Sequence, residues 1–142
     1  MTTNTGSARY EGLGKNGKGH VSTGSGALSD QPYGFTTRFE GAPGTNPEEL
    51  VGAAHASCFT MALSFALARA GHSDGSIETT ATVTLEKDGD GFTVTRSDLV
   101  TTARVPGISD EDFQAIAADA KVNCPISKLL NAEITLAATL AD

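Results

Sequence analysis

The sequence is poor in aromatic residues and in cysteine, and it has no run of like charges. Aromatic side chains make up 6% of the 142 residues, so a core must be built mainly on Ala, Val, Leu and Ile. The formal net charge is −7 and no block of five like charges occurs, which argues against a nucleic-acid surface. The length is that of one ordinary domain, and we expect a single domain over residues 1–142.

An apolar run is also missing from the first twenty residues, MTTNTGSARYEGLGKNGKGH. We therefore expect neither a signal peptide nor a membrane anchor, and we expect a cytoplasmic protein in a reducing compartment. Permanent structural disulfides are rare in such a compartment. The two cysteines, Cys58 and Cys124, are then either inert core residues or a working redox pair.

Residues 46–71, NPEELVGAAHASCFTMALSFALARAG, predict a long helix with a cysteine at its middle. Asn46 can cap this helix, Pro47 fits its first position, and the two glutamates that follow lie where the helix dipole favours anions. The 19 residues 50–68 carry no formal charge, which is close to the length of a membrane span. They include several polar residues and much alanine, so we interpret the segment as a helix buried on nearly all sides of a water-soluble fold.

The remaining chain shows strand and helix signals in a definite order. A hairpin is expected over residues 7–26, and the alternating segment YGFTTRFEG predicts a strand with Arg38 on one face. After the long helix we expect a second hairpin, a helix capped by Ser109, a short helix capped by Cys124, and a last strand. This order is typical of an antiparallel α+β domain.

Cys58 needs help from outside its helix to react. A residue in the middle of a helix has no free backbone N–H beside it, and apolar surroundings raise the pKa of a thiol. Arg38 could supply the missing positive charge, although an arginine on a sheet is often only a solvated charge. Cys124 differs because the sulfur of an N-cap residue faces free backbone amides, but a small cap residue without reactivity fits the same position.

His55 lies three residues before Cys58, on the same face of the predicted helix. The default interpretation is a packed, hydrogen-bonded histidine. A His–Cys nucleophile pair for acyl transfer and a Cys–His corner of a metal site are the alternatives. Zinc requires three or four protein ligands, and the sequence contains no CxxC or HxxxH, so we expect no metal.

Three segments, PYGFTTRFEG, GTNPEELVGAAHASCF and NCPISKLLNAEITL, resemble the osmotically inducible protein C branch of the OsmC/Ohr family of thiol-dependent hydroperoxide reductases. They occur in the family's order, and the resemblance extends over essentially the whole chain. It implies an α+β, OsmC-like fold in which antiparallel sheets wrap around a long buried central helix. It also implies an intertwined homodimer with composite active sites.

The resemblance implies roles for four residues. Cys58 matches the peroxidatic cysteine, Cys124 its resolving partner, Arg38 the arginine that activates the first thiolate, and Glu48 the carboxylate that holds this arginine. The implied reaction reduces organic hydroperoxides, and more weakly hydrogen peroxide, through a Cys58 sulfenic acid and a Cys58–Cys124 disulfide, in oxidative or osmotic stress defence. The implied partner is an external dithiol of the lipoyl type, with no metal, flavin or haem cofactor.

Helix geometry adds a constraint to these roles. Glu48 and Cys58 are ten residues apart, which is about 15 Å along one continuous helix, and an arginine side chain reaches about half of that. Either the helix breaks near Gly52, or the site is assembled from two chains. Two such helices packed antiparallel about a two-fold axis would bring Glu48 of one chain towards Cys58 of the other.

The substrate and the turnover are less constrained by the sequence. The apolar residues Phe59, Met61 and Phe65 near Cys58 suit organic hydroperoxides better than hydrogen peroxide. Two rival classes stay open. One is a redox sensor or binding module in which the disulfide is a signal without sustained turnover, and the other is a structural protein with two buried thiols.

Overall fold

The structure is a computed structural model that describes all 142 residues, and the chain divides into two compact units, Met1–Leu50 and Val51–Asp142. The first unit contains a three-stranded antiparallel sheet in the order β1-β2-β3. Its strands are β1 Gly6–Glu11, β2 Lys18–Thr23 and β3 Gln31–Tyr33. The expected hairpin over residues 7–26 is confirmed, with one turn of 3-10 helix, Gly14–Asn16, in its connection.

The strand expected over residues 33–41 is wrong, because a short helix, α1 (Phe35–Phe39), follows β3. The Thr37 hydroxyl accepts a hydrogen bond from the Gly34 N–H at 2.8 Å and donates one to the Gly34 carbonyl at 3.0 Å, which closes the first turn. The phenylalanines at the two ends of α1 stack with their ring centroids 5.1 Å apart. Aromatic residues four apart fit one face of a helix as well as one face of a strand, so the alternation was ambiguous. Arg38 therefore lies on a helix.

Helix α2 (Pro47–Arg69) is continuous and is not interrupted at Gly52. Its predicted cap is confirmed, since Asn46 Oδ1 accepts a hydrogen bond from the Glu49 N–H at 2.8 Å. It is the one helix that is long and apolar enough to cross a membrane by length and composition, and 28% of its most apolar window is buried. The helix begins in the first unit and ends in the second.

The second unit is a three-stranded mixed sheet with two further helices. Its elements are β4 Ser76–Asp88, β5 Gly91–Arg104, α3 Asp110–Asn123, α4 Pro125–Leu129 and β6 Glu133–Leu140. β4 and β5 form the expected antiparallel hairpin, and its two-residue turn begins at Gly89, whose φ of 61° favours glycine. β6 pairs with β5 in parallel, which differs from the antiparallel expectation. Parallel neighbours need a crossover connection, and α3 and α4 provide it.

The hydrophobic core of the second unit is built from one face of α2, from β5 and from α3. The buried residues of α2 recur every three or four positions: Gly52, His55, Phe59, Leu63 and Leu67. A side chain at Gly52 would meet the carbonyl oxygen of Ala81 at 3.2 Å, so this glycine allows α2 to approach β4 closely. The α+β class and the long central helix are confirmed.

The opposite face of α2 is not buried within the chain, which corrects the expectation of burial on nearly all sides. Met61 and Phe65 are 61% and 60% exposed. Together with Ala53, Ser57 and other small residues they line a shallow groove of about 630 Å³. Phe59, in contrast, belongs to the core and does not face this groove. A single chain therefore presents an apolar helix face to its surroundings.

Candidate active site

The two cysteines meet at the junction between α3 and α4. Cys58 is half-buried on α2, and Cys124 is completely buried at the position where α3 ends and α4 begins. Pro125 occupies the first position of α4, which ends one helix and starts the next. Both thiols are free, and Cys124 lies close enough to Cys58 to shift the pKa of the Cys58 thiol. The fold therefore brings together two residues 66 positions apart in the sequence.

The first free amide of α4 is used by Cys58. The N–H of Ile126 donates to the Cys58 sulfur, whereas the Cys124 side chain makes no capping hydrogen bond. Of the two interpretations of Cys124 left open by the sequence, the absence of a capping hydrogen bond favours the small cap residue. The sequence does contain a signal, because Pro125 has no N–H and leaves the amide of Ile126 as the first one available.

The pKa of the Cys58 thiol is raised above its usual value. Burial is the main cause, and the hydrogen bond with Cys124 raises the pKa further. The hydrogen bond from the Ile126 N–H acts in the opposite direction but does not outweigh them. Because the thiolate is the reactive form, Cys58 needs a nearby cation to react at neutral pH.

Arg38 and Glu48 form a two-point ion pair in the first unit. Arg38 Nε lies 2.7 Å from Glu48 Oε1, and Arg38 Nη2 lies 2.9 Å from Glu48 Oε2. This hydrogen bonding raises the pKa of Arg38 above its usual value. The side chain of Glu48 is 14% exposed and that of Arg38 is 34% exposed, so the guanidinium is held on one edge and open on another.

Arg38 also borders a small pocket of the first unit. The pocket has a volume of about 440 Å³, and its lining includes Tyr10, Lys15, Phe35 and Phe39. The guanidinium carbon of Arg38 lies 5.5 Å from the centre of the Phe39 ring. The guanidinium is thus presented beside an aromatic surface.

Both ring nitrogens of His55 are occupied by serines. His55 is completely buried; its Nδ1 lies 2.7 Å from Ser97 Oγ and its Nε2 lies 2.8 Å from Ser127 Oγ. Burial lowers the pKa of His55, which favours the neutral imidazole. The default interpretation of a packed, hydrogen-bonded histidine is confirmed, because neither nitrogen is free to pair with Cys58 or to bind a metal. No group of three or more His, Cys, Asp or Glu side chains is placed to hold a metal ion.

Comparison with known proteins identifies the family of this chain. The family model described as OsmC-like protein matches residues 39–139, and the chain belongs to this family. Peroxiredoxin OsmC of Escherichia coli (strain K12) is 56% identical over 92% of both chains. Organic hydroperoxide resistance protein-like 1 of Staphylococcus epidermidis is 32% identical over 82% of both chains.

The fold of this chain also resembles that of a solved structure. The crystal structure of the organic hydroperoxide resistance protein OhrB of Bacillus subtilis is similar to this chain with a TM-score of 0.70 and 26% identity. The similarity covers 99% of this chain and 98% of the other.

Proposed function

We propose that this chain reduces organic hydroperoxides to alcohols with Cys58 and Cys124. The chain is a thiol-dependent peroxidase, as its 56% identity to peroxiredoxin OsmC over 92% of both chains indicates. The route proposed here rests above all on one observation: two free thiols, Cys58 and Cys124, lie close enough for Cys124 to shift the pKa of Cys58. The relatives named for organic hydroperoxide resistance support the class of substrate.

In the first step the Cys58 thiolate attacks the distal oxygen of the hydroperoxide. The S–O bond forms as the O–O bond breaks, and the proximal oxygen leaves with a proton as the alcohol. Arg38 lowers the pKa of Cys58 and stabilises the negative charge that develops on the oxygens. Glu48 holds the guanidinium in place through the two hydrogen bonds described above.

In the second step the thiol of Cys124 condenses with the Cys58 sulfenic acid. The S–S bond forms, the S–O bond breaks, and water leaves with the oxygen. The contact between the two thiols supports a fast condensation, which protects Cys58 from over-oxidation to sulfinic acid. An external dithiol, of the lipoyl type, then reduces the disulfide through a mixed disulfide.

The active site is assembled from two chains in this proposal. Because α2 is continuous, a break near Gly52 is ruled out as a way to bring Glu48 and Cys58 together. Arg38 and Glu48 of one chain are instead proposed to act on Cys58 of a second chain. The exposed apolar face around Met61 and Phe65 supports a homodimer in which this face is covered. It also supports a preference for organic hydroperoxides over hydrogen peroxide.

Three further assignments belong to this proposal. The family model begins in the first unit and spans most of the second, which supports residues 1–142 working as one domain. The hydrogen bonds of the buried His55 to Ser97 and Ser127 give α2 polar partners inside the protein, which supports a soluble protein rather than a membrane helix. A cytoplasmic location is part of the proposal. A role in oxidative or osmotic stress defence is part of the proposal, and the relatives named for organic hydroperoxide resistance support its oxidative side.

The test is consumption of cumene hydroperoxide by the purified protein, first with dihydrolipoamide and then with a monothiol. Sustained turnover that favours the dithiol is the expected result. Consumption of one equivalent and no more, with either reductant, would instead identify the protein as a redox sensor. Size-exclusion chromatography with light scattering tests the assembly, because an active monomer would contradict the two-chain site.

A further inference from the structure

The mechanism above leaves one buried polar cluster without a role: the imidazole of His55 and the hydroxyls of Ser97 and Ser127. All three residues are at least nine-tenths buried, and both hydrogen bonds are short, at 2.7 and 2.8 Å. A neutral imidazole donates from one nitrogen and accepts at the other, so one serine accepts and the other donates. Every polar atom of the ring therefore has a partner, which is what permits its burial.

The two serines lie on different elements, and only the element of Ser127 adjoins a cysteine. Ser127 is on α4, three residues after Cys124 and one after Ile126. Ser97 is on β5, which carries no cysteine. His55 itself lies one turn before Cys58 on α2. The hydrogen bond between His55 and Ser127 therefore links α2, which carries Cys58, to α4, which positions Cys124. The hydrogen bond between His55 and Ser97 links α2 only to the sheet.

Helix α4 needs such an anchor. It has five residues, Pro125–Leu129, and a helix of this length is not stable by itself. Ile126 is partly buried against the core, but Leu129 is 73% exposed and contributes little packing. Apart from the contact of the Ile126 N–H with the Cys58 sulfur, the hydrogen bond between Ser127 and His55 ties α4 to α2.

We propose that His55 is a positioning residue for the resolving step. Its hydrogen bond to Ser127 holds α4 so that the Cys124 thiol and the Ile126 N–H both lie against the Cys58 sulfur. This inference rests on the proposed function, because it concerns the competition between two fates of the Cys58 sulfenic acid. Condensation with Cys124 gives the disulfide and water, whereas a second hydroperoxide gives the sulfinic acid and an alcohol.

The experiment compares Ser127→Ala with Ser97→Ala, which each remove one hydrogen bond of similar length from the same imidazole. Both variants turn over cumene hydroperoxide with dihydrolipoamide, and mass spectrometry measures the sulfinic acid formed at Cys58 per turnover. We expect Ser127→Ala to raise over-oxidation per turnover about tenfold, the effect of one buried hydrogen bond on an equilibrium. We expect Ser97→Ala to raise it about twofold at most, because its partner strand carries no thiol.

Each variant is first separated by size-exclusion chromatography, so that unfolded chains, whose exposed thiols over-oxidise without turnover, do not contribute to the ratio. Ser127→Thr, which keeps the hydroxyl, should return the ratio towards that of the wild type. Should Ser127→Ala fail to fold, His55→Asn tests the same contact, since the shorter amide can keep the bond to Ser97 but cannot reach Ser127. We expect His55→Asn to raise over-oxidation as Ser127→Ala does.

An unchanged ratio in the Ser127→Ala or His55→Asn protein would overturn the inference, and so would an equal rise in Ser97→Ala. Failure of the proposed function gives a different result, since the wild-type protein would then show no sustained turnover at all.

Discussion

The thiol pair and the charged pair are held in opposite ways. Cys124 is completely buried, and it meets Cys58 because helices and a sheet pack around both. Arg38 and Glu48 lie in the other unit, on a five-residue helix and the first turn of α2, and two hydrogen bonds fix them to each other. One pair therefore depends on packing and the other on electrostatics. A substitution that disturbs one of these should leave the other largely intact.

The largest effect should come from removing a thiol. Cys58→Ser is expected to abolish peroxide consumption, because a serine hydroxyl cannot form the sulfenic acid. Cys124→Ser should allow a first turnover and then lose activity as Cys58 is over-oxidised. Stopped-flow consumption of cumene hydroperoxide separates the two behaviours, and sustained turnover by Cys58→Ser would refute the proposed route.

A smaller loss of activity should follow from removing the positive charge of Arg38. Arg38→Ala is expected to lower kcat/KM by about 10²–10³-fold, as for the loss of one preorganised donor, while the thiol pair stays in contact. The pH dependence of Cys58 alkylation should shift upward in this variant, because burial then raises the pKa of Cys58 without compensation. Arg9→Ala is the matched control, since Arg9 is an exposed arginine of the same unit paired with Glu11.

If Arg9→Ala lowers kcat/KM as much as Arg38→Ala does, the effect is one of general charge, and Arg38 has no special role. Glu48→Gln should fall between the wild type and Arg38→Ala, because the guanidinium remains but is no longer held by a charged partner.

Substitutions of two phenylalanines test whether core packing holds the thiol pair but not the Arg38–Glu48 pair. Phe59→Ala should cost about 3–5 kcal/mol in the free energy of unfolding, because Phe59 is completely buried in the core that supports the thiols. Phe39→Ala should cost only about 1 kcal/mol, since Phe39 is 42% exposed and stacks on Phe35. Urea denaturation measures both, and equal losses would contradict the distinction.

The smallest effect concerns a charged cluster on the sheet of the second unit. Arg96 and Thr135 hold the pKa of Asp98 at about 2, below its usual value. The stabilisation is therefore present above about pH 4 and is lost as the pH falls towards 2. Asp98→Asn should flatten the acid limb of a stability–pH curve recorded by urea denaturation. An unchanged acid limb would show that this cluster is screened by solvent.

The sequence predicted the elements that have strong local signals. The cap at Asn46, the cap at Ser109 and the hairpin around Gly89 all appear as expected. It failed for α1, because two phenylalanines four apart fit a helical turn as well as a strand. It also failed for the pairing of β6, because the direction of a strand depends on the crossover before it and not on its own residues.

For the site, the sequence supplied residue types but not their surroundings. The Arg38–Glu48 pair was implied by the family resemblance, and the structure places the two side chains within hydrogen-bond distance. Neither the use of the Ile126 N–H by Cys58 nor the two serines on His55 could be predicted, since these contacts join residues 42 or more positions apart. Such contacts are set by tertiary packing and have no local pattern.

The position of Cys124 in the crossover between β5 and β6 has a consequence for heat resistance. A bond from there to Cys58 would close a loop of 66 positions that contains the second half of α2, the whole β4–β5 hairpin and α3. In the chain-entropy description, closing a loop of that size stabilises the folded state by about 4 kcal/mol. Each round of the proposed cycle would thus alternate a more easily melted protein with a more robust one. The melting temperature would then rise with the hydroperoxide concentration, and the protein would be most resistant to heat when cells are exposed to oxidants.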